Sequence, residues 1–117
     1  MPTLFLEDLT PGQSFSGTTT IQITAEDIQR FAAEFDPQPF HLSSAGAADS
    51  VFGTLAASGW HTAAVTMRLL VDSEFRPSGG VVGAGFDDLQ WPLPVRPGDE
   101  LRVTSEVLEV RRSRSNP

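Results

Sequence analysis

The stretch Asp36-Pro37-Gln38-Pro39-Phe40-His41 holds an acid and an imidazole a few residues apart on a backbone stiffened by two prolines. Each proline fixes its own φ and pushes the residue before it out of the α region, so Asp36 and Gln38 are expected to be extended. A helix running into this stretch must then end near Phe35. A carboxylate and a histidine on a rigid, non-helical segment can both reach one small object, such as a water or a substrate oxygen. Positions five apart on a straight strand face opposite ways, so the pair meets only if the chain curls here. The expectation is that it does.

Upstream, Thr24 is an N-cap candidate with Asp27 three residues on, a shorter-armed version of the capping box, and Glu26 suits the positive end of a helix. Ile28, Phe31, Ala32 and Phe35 then recur at helical spacing, one apolar stripe over about three turns. Phe15 to Ile23 is β-prone, with Thr19, Ile21 and Ile23 on one face. Before it, Leu4, Phe5 and Leu6 suit a short edge strand, and Pro11-Gly12 marks a turn.

Downstream, Ser43 or Ser44 can cap a short helical turn through Ala48, and Ser50 to Thr54 reads as loop. From about Ser58 to Asp72 the chain predicts a longer helix whose apolar residues cover most of its circumference, so it is expected to be buried nearly all round. That pattern suggests a sheet wrapped around one helix. Val81 to Trp91 is a strand candidate, with Gly83 and Gly85 marking a bulge or a close backbone approach. Trp91-Pro92-Leu93-Pro94-Val95 must be irregular or at an edge, and Arg96-Pro97-Gly98-Asp99 suits a β-turn. Leu101 to Val110 predicts a long strand whose apolar parity switches at Leu108, consistent with a bulge. Ser115-Asn116-Pro117 suits the start of a turn.

At 117 residues the chain is expected to be one domain, able to bury roughly 65% of its unfolded surface. It contains no cysteine, which excludes disulfides and thiolate zinc sites. The first residues lack a basic region followed by an apolar run, and no stretch is long enough to span a bilayer, so a cytoplasmic setting is expected. The net charge is −7, against nucleic-acid binding. Arginines gather near the end, where Arg111-Arg112-Ser113-Arg114 is expected to be a solvated, frayed run.

Two readings of the central pair stay open on the residues alone. Asp36 and His41 suit general acid-base catalysis if they converge. Asp36 equally suits a helix-ending aspartate bonded to nearby N–H groups, and His41 a partly buried histidine bonded to backbone. The start of the long helix is a candidate for holding negative charge: Gly59 offers free N–H groups and close approach, and Ser58 is an N-cap or a second contact. His61 is expected to be packed near the site. Two histidines and scattered carboxylates do not suggest a metal site. Trp60, Met67 and Trp91 suit core or pocket wall.

In its order of elements, and in Phe31 to His41, Ala57-Ser58-Gly59-Trp60-His61 and the run from Trp91 to Asp99, the chain resembles the MaoC-like dehydratases, relatives of the (R)-specific enoyl-CoA hydratases. The family's motif is an acid, any residue, Asn, Pro, an aliphatic residue and His; Asp36, Pro39 and His41 match it. Gln38 replaces the usual asparagine, Phe40 the aliphatic residue, and Glu34-Phe35 the small pair before the acid, which would narrow or reshape the acyl pocket. The resemblance implies an α+β hot-dog fold, an antiparallel sheet wrapped around one long buried helix, here lacking the family's last two strands. It implies a hydro-lyase that hydrates trans-2-enoyl-CoA to (R)-3-hydroxyacyl-CoA, with a water held between Asp36 and His41. His41 would take its proton, and Asp36 would position it and protonate the α-carbon. Gly59, Ser58, Gln38 and Phe40 would contact substrate. Coenzyme A would enter only as part of the acyl-CoA, no cofactor or metal would be needed, and the chain would form a homodimer or higher homo-oligomer. The alternatives are a non-catalytic acyl-CoA-binding or scaffold subunit and a hot-dog acyl-CoA thioesterase.

Overall fold

The computed structural model describes residues 3–81 and 83–112. Its longest element is helix α4, Gly59–Val71, and the other main helix is α1, Ala25–Phe35. Between them lie two short helical turns, α2 at Pro39–Leu42 and α3 at Ser44–Ala48. Strand β1 is Ser14–Ser16, β2 Ile21–Gln22, β3 Glu100–Leu101 and β4 Thr104–Glu106. The strands form two antiparallel pairs, β1 with β4 and β2 with β3, in registers that set Phe15 opposite Ser105 and Ile21 opposite Leu101.

The helix signals act as expected. The Thr24 hydroxyl accepts from Asp27 N–H at 3.1 Å and starts α1; Ser43 accepts from Gly46 N–H at 2.9 Å and starts α3. The Asp27 carboxylate completes no box, because it pairs with Arg30 instead. The stripe on α1 buries Ile28 and Ala32 fully and half-buries Phe31, but leaves Phe35 69% exposed. Ile23, Ile28, Leu55 and Ala57 form a buried cluster, with Ile21, Val65, Val95 and Leu101 packed against it. This core ties β2, α1, α4 and β3 to the strip 55–57.

Several expectations are corrected. Leu4–Leu6 is not a strand: Leu4 makes a single parallel bridge to Pro77, and Leu6–Asp8 is a 3₁₀ turn. The 15–23 strand is split at Gly17–Thr20. The 101–110 strand is also split, at Arg102 and Val103, because the chain leaves one partner there for the other. Val103 C=O accepts from Gly17 N–H at 2.9 Å at the crossing. No strand forms in the described part of Val81–Trp91 (Val82 lies outside the described residues), and Gly83 and Gly85 have open space where a Cβ would stand. Without a partner strand, β-propensity there has nothing to pair with.

Helix α4 is not buried all round. His61 and Leu69 are buried, whereas Trp60 and Val71 are more than half exposed and Met67 nearly so. The paired strands among the described residues, each two or three residues long, leave that face of the helix open. The Cα radius of gyration, 17.1 Å, exceeds the roughly 13 Å of a compact domain this long. The Arg96–Asp99 turn forms as expected, with Asp99 N–H donating to Arg96 C=O at 3.1 Å and Gly98 at φ 93°. Arg111 and Arg112 are exposed. Ser113, Arg114 and the expected turn at Ser115–Pro117 lie outside the described residues. Among the described residues no helix is long and apolar enough to cross a membrane.

Candidate active site

Helix α1 ends at Phe35, and Asp36, at φ −153° and ψ 66°, leaves the helical region as its place before Pro37 requires. Gln38 is extended, and Pro39 then opens a new helical turn at its first position. A proline is tolerated there because that N–H has no intrahelical partner in any case. The segment is therefore rigid but not wholly non-helical, as the two prolines alone suggest: His41 sits inside α2. This turn supplies the curl, and it brings His41 Nε2 to 3.3 Å from Asp36 Oδ2.

His41 is buried, 4% exposed. Its Nδ1 lies 2.6 Å from Ala56 C=O. A carbonyl only accepts, so Nδ1 carries the hydrogen, and Nε2 is the nitrogen left to exchange a proton. Two atoms 3.3 Å apart can both reach a single oxygen at the apex of a triangle with sides of about 2.8 Å. The imidazole is walled by Phe40, edge-on with ring centroids 4.6 Å apart, and Phe40 packs in turn on Phe52 at 5.1 Å.

The Asp36 carboxylate is held as an anion. The Gln38 side-chain amide donates to Oδ1 at 2.5 Å. That bond, helped by the Ser58 hydroxyl and the His41 ring, holds the carboxyl below its ordinary range, while partial burial pulls the other way. Ser58 is fully buried, and its oxygen also accepts from Trp60 N–H at 3.3 Å, capping α4.

Beside His41 lies a cleft of about 230 Å³. It is lined by His41, Phe52, Gly59, Thr62 and Trp91, together with Leu93–Val95. The Trp91 indole lies directly against Gly59, whose Cβ would stand 2.8 Å from it. Of the four expected substrate contacts, Gly59 lines this cleft, Ser58 and Gln38 lie near Asp36, and Phe40 stands edge-on to His41. Phe52 and Thr62 were not singled out by the sequence; Phe52 lies in a stretch that reads only as loop, and Thr62 hides in helical spacing. His61 does not join the pair. It stacks on Phe31, ring centroids 4.9 Å apart, in a second cleft with Asp27, Arg30 and Glu34. Among the described residues no three His, Asp or Glu side chains gather to hold a metal ion.

The sequence model of the MaoC like domain family matches residues 7–117. A MaoC-like dehydratase from Rhodospirillum rubrum superposes with a TM-score of 0.90 at 54% identity, covering 97% of this chain and 77% of its own. The R-hydratase PhaJ1 from Pseudomonas aeruginosa superposes at 0.67 with 32% identity, covering 89% of this chain and 64% of its own. The uncharacterised protein YdeM of Bacillus subtilis is 34% identical over 110 residues, 94% of this chain and 77% of its own. The fold that the two solved structures share with this chain is the hot-dog fold.

Proposed function

We propose that this chain, which belongs to the MaoC-like dehydratase family, reversibly hydrates trans-2-enoyl-CoA to (R)-3-hydroxyacyl-CoA through Asp36 and His41. Its relatives include a dehydratase and an R-hydratase. The observation that carries the reading is the His41 tautomer: Ala56 C=O takes the Nδ1 hydrogen, and Nε2 faces Asp36 Oδ2 at 3.3 Å.

In the hydration direction a water at the apex of the pair gives a proton to His41 Nε2 as its oxygen bonds to the β-carbon. The electron pair of the double bond moves onto the α-carbon and the thioester oxygen. The same proton then passes from the imidazolium to the α-carbon, so that one water is added and His41 is restored. Asp36 holds the water and offsets the imidazolium charge. A proton donated by Asp36 itself is the poorer reading, because Gln38 and Ser58 keep its carboxyl ionised at rest. The first-turn amide of Gly59 suits the transient oxyanion, being a helix N–H without an intrahelical acceptor. Coenzyme A serves only as the substrate's carrier, and the scheme calls for no metal or redox cofactor.

A homodimer in the cytoplasm is part of the same reading. The accessible surface, 8374 Å² for 12.6 kDa, exceeds the roughly 6,200 Å² of a compact monomer. Trp60, Met67 and Val71 stand exposed on α4, as a surface awaiting a partner would.

The experiment is hydration of short to long trans-2-enoyl-CoA by the wild type, Asp36→Asn and His41→Ala. Each variant is expected to lose about 10²- to 10⁴-fold in kcat. Full turnover in either one refutes the pair. A folded wild type inert across the panel favours a binding subunit, and release of free thiol from saturated acyl-CoA favours a thioesterase.

A further inference from the structure

The strip 52–57 is fastened on both sides. Toward the active site, Ala56 N–H donates to Phe40 C=O at 3.2 Å, and Ala56 C=O receives the His41 Nδ1 hydrogen at 2.6 Å. Away from it, Ala57 N–H donates to Val95 C=O at 2.8 Å. The next residue, Arg96, sends its guanidinium back across the same strip. Its Nη2 donates to Phe52 C=O at 2.9 Å, and its Nη1 donates to Thr54 C=O at 3.2 Å and to the Thr54 hydroxyl. The base of this side chain is itself immobilised. Arg96 N–H donates to Asp99 Oδ2 at 2.9 Å within the Arg96–Asp99 turn, whose Gly98 adopts φ 93°.

We propose that Arg96 is a positioning residue for His41, clamping the strip 52–57 so that the Ala56 carbonyl fixes the imidazole tautomer and Phe52 holds its wall of the cleft. The chemistry requires a guanidinium. Two nitrogens in one plane serve two carbonyls two residues apart in sequence, and a lysine has a single nitrogen on a flexible stem. The strip 52–54 has no strand or helix to order it, so the clamp supplies what secondary structure does not. A neutral histidine exchanges freely between its two tautomers unless one nitrogen is held by an acceptor. If the Ala56 carbonyl drifts, the Nε2–H form becomes populated, and that form cannot accept a proton from the water beside Asp36. Displacement of a catalytic group by about 1 Å costs on the order of 10²-fold in rate.

The clamp rests on the hydro-lyase reading only in its kinetic arm. The test therefore pairs ¹⁵N NMR of the His41 ring, assigned with His41→Ala, with enoyl-CoA hydration by the wild type, Arg96→Lys and Arg96→Ala. The wild type is expected to show one tautomer, with hydrogen on Nδ1. Both variants are expected to show a mixture, with kcat down about 10- to 100-fold and KM changed less. Arg96→Lys keeps the charge and the aliphatic stem, and it carries the test if Arg96→Ala does not fold. A folded Arg96→Lys with the wild-type His41 signature and wild-type kcat overturns the clamp and leaves the hydratase reading standing. A mixed tautomer in the variants, with a wild type inert toward every enoyl-CoA, keeps the clamp and removes the hydratase reading.

Discussion

Gly59→Ala places a methyl group where the Trp91 indole already lies. An ideal Cβ on Gly59 stands 2.8 Å from Trp91 Cε2 and 3.0 Å from Cδ2 and Cζ2. The ring must therefore retreat by about 0.6 Å to reach the 3.4 Å at which ordinary contact begins. Two features resist that retreat: the Trp60 ring stands edge-on at 5.7 Å, and Pro92 stiffens the backbone behind Trp91. Overpacking of this kind costs about 1–3 kcal/mol, and a partly exposed ring belongs in the lower half of that range. Alanine in place of glycine at a helix start returns about 0.5 kcal/mol. The net expectation is a loss of about 1 kcal/mol, or a fall in Tm of roughly 4–6 °C. In a Trp91→Ala background the methyl meets open space, and the same substitution becomes neutral or slightly stabilising. Thermal and urea unfolding of the four proteins closes a double-mutant cycle, with an expected coupling of about 1–2 kcal/mol. Equal effects of Gly59→Ala in both backgrounds would refute the contact, and with it the placement of Trp91 as the wall of the cleft at the start of α4.

Two further predictions concern protons. Gln38→Ala removes the main hydrogen bond that holds the Asp36 carboxyl below its ordinary range. Its pKa, followed by ¹³C NMR of the carboxyl carbon, should rise toward the ordinary value. Because the folded-state pKa is the lower one, Asp36 contributes stability that is present above the ordinary carboxylate range and lost as pH falls through the folded value. Gln38→Ala should shrink that contribution, and an unmoved Asp36 carboxyl titration would count against Gln38 as its source. His61 is pushed below its ordinary 6.5 by burial, with the Asp27 charge opposing the shift and Arg30 adding to it. Its contribution is complete above pH 6.5 and lost as pH falls below that toward the folded-state pKa. The His61→Phe variant, which can keep the stack on Phe31, should show a flatter fall in urea midpoint over this window. A wild-type slope in that variant would assign the acid sensitivity elsewhere.

The punctuation of the chain is written locally. Thr24, Ser43 and Ser58 cap the helices that follow them, Pro37 ends α1, and Pro97-Gly98 turns the chain back toward β3. These are local effects: a hydroxyl within three residues of an orphan amide, or a proline ring excluding its neighbour from the helical region, acts whatever surrounds it. The convergence of Asp36 and His41 was legible for the same reason: an acid and a histidine stand on a stretch with few allowed conformations.

What depended on partners distant in sequence was not legible. Strand lengths are an example. Phe15–Ile23 and Leu101–Val110 each suggest one long strand, but both break where the chain changes partner, and the second ends at Glu106. The apolar circumference of α4 promised burial nearly all round, and the tertiary structure leaves one face uncovered, because hydrophobicity states a preference and only neighbouring elements can satisfy it. The tautomer of His41 was likewise beyond the sequence. It is set by the carbonyl of Ala56, 15 residues away, on a strip held by Val95 and Arg96. A catalytic residue type can be read from its own stretch of chain. Which of its nitrogens is free to act is decided by whatever backbone the fold brings against the other.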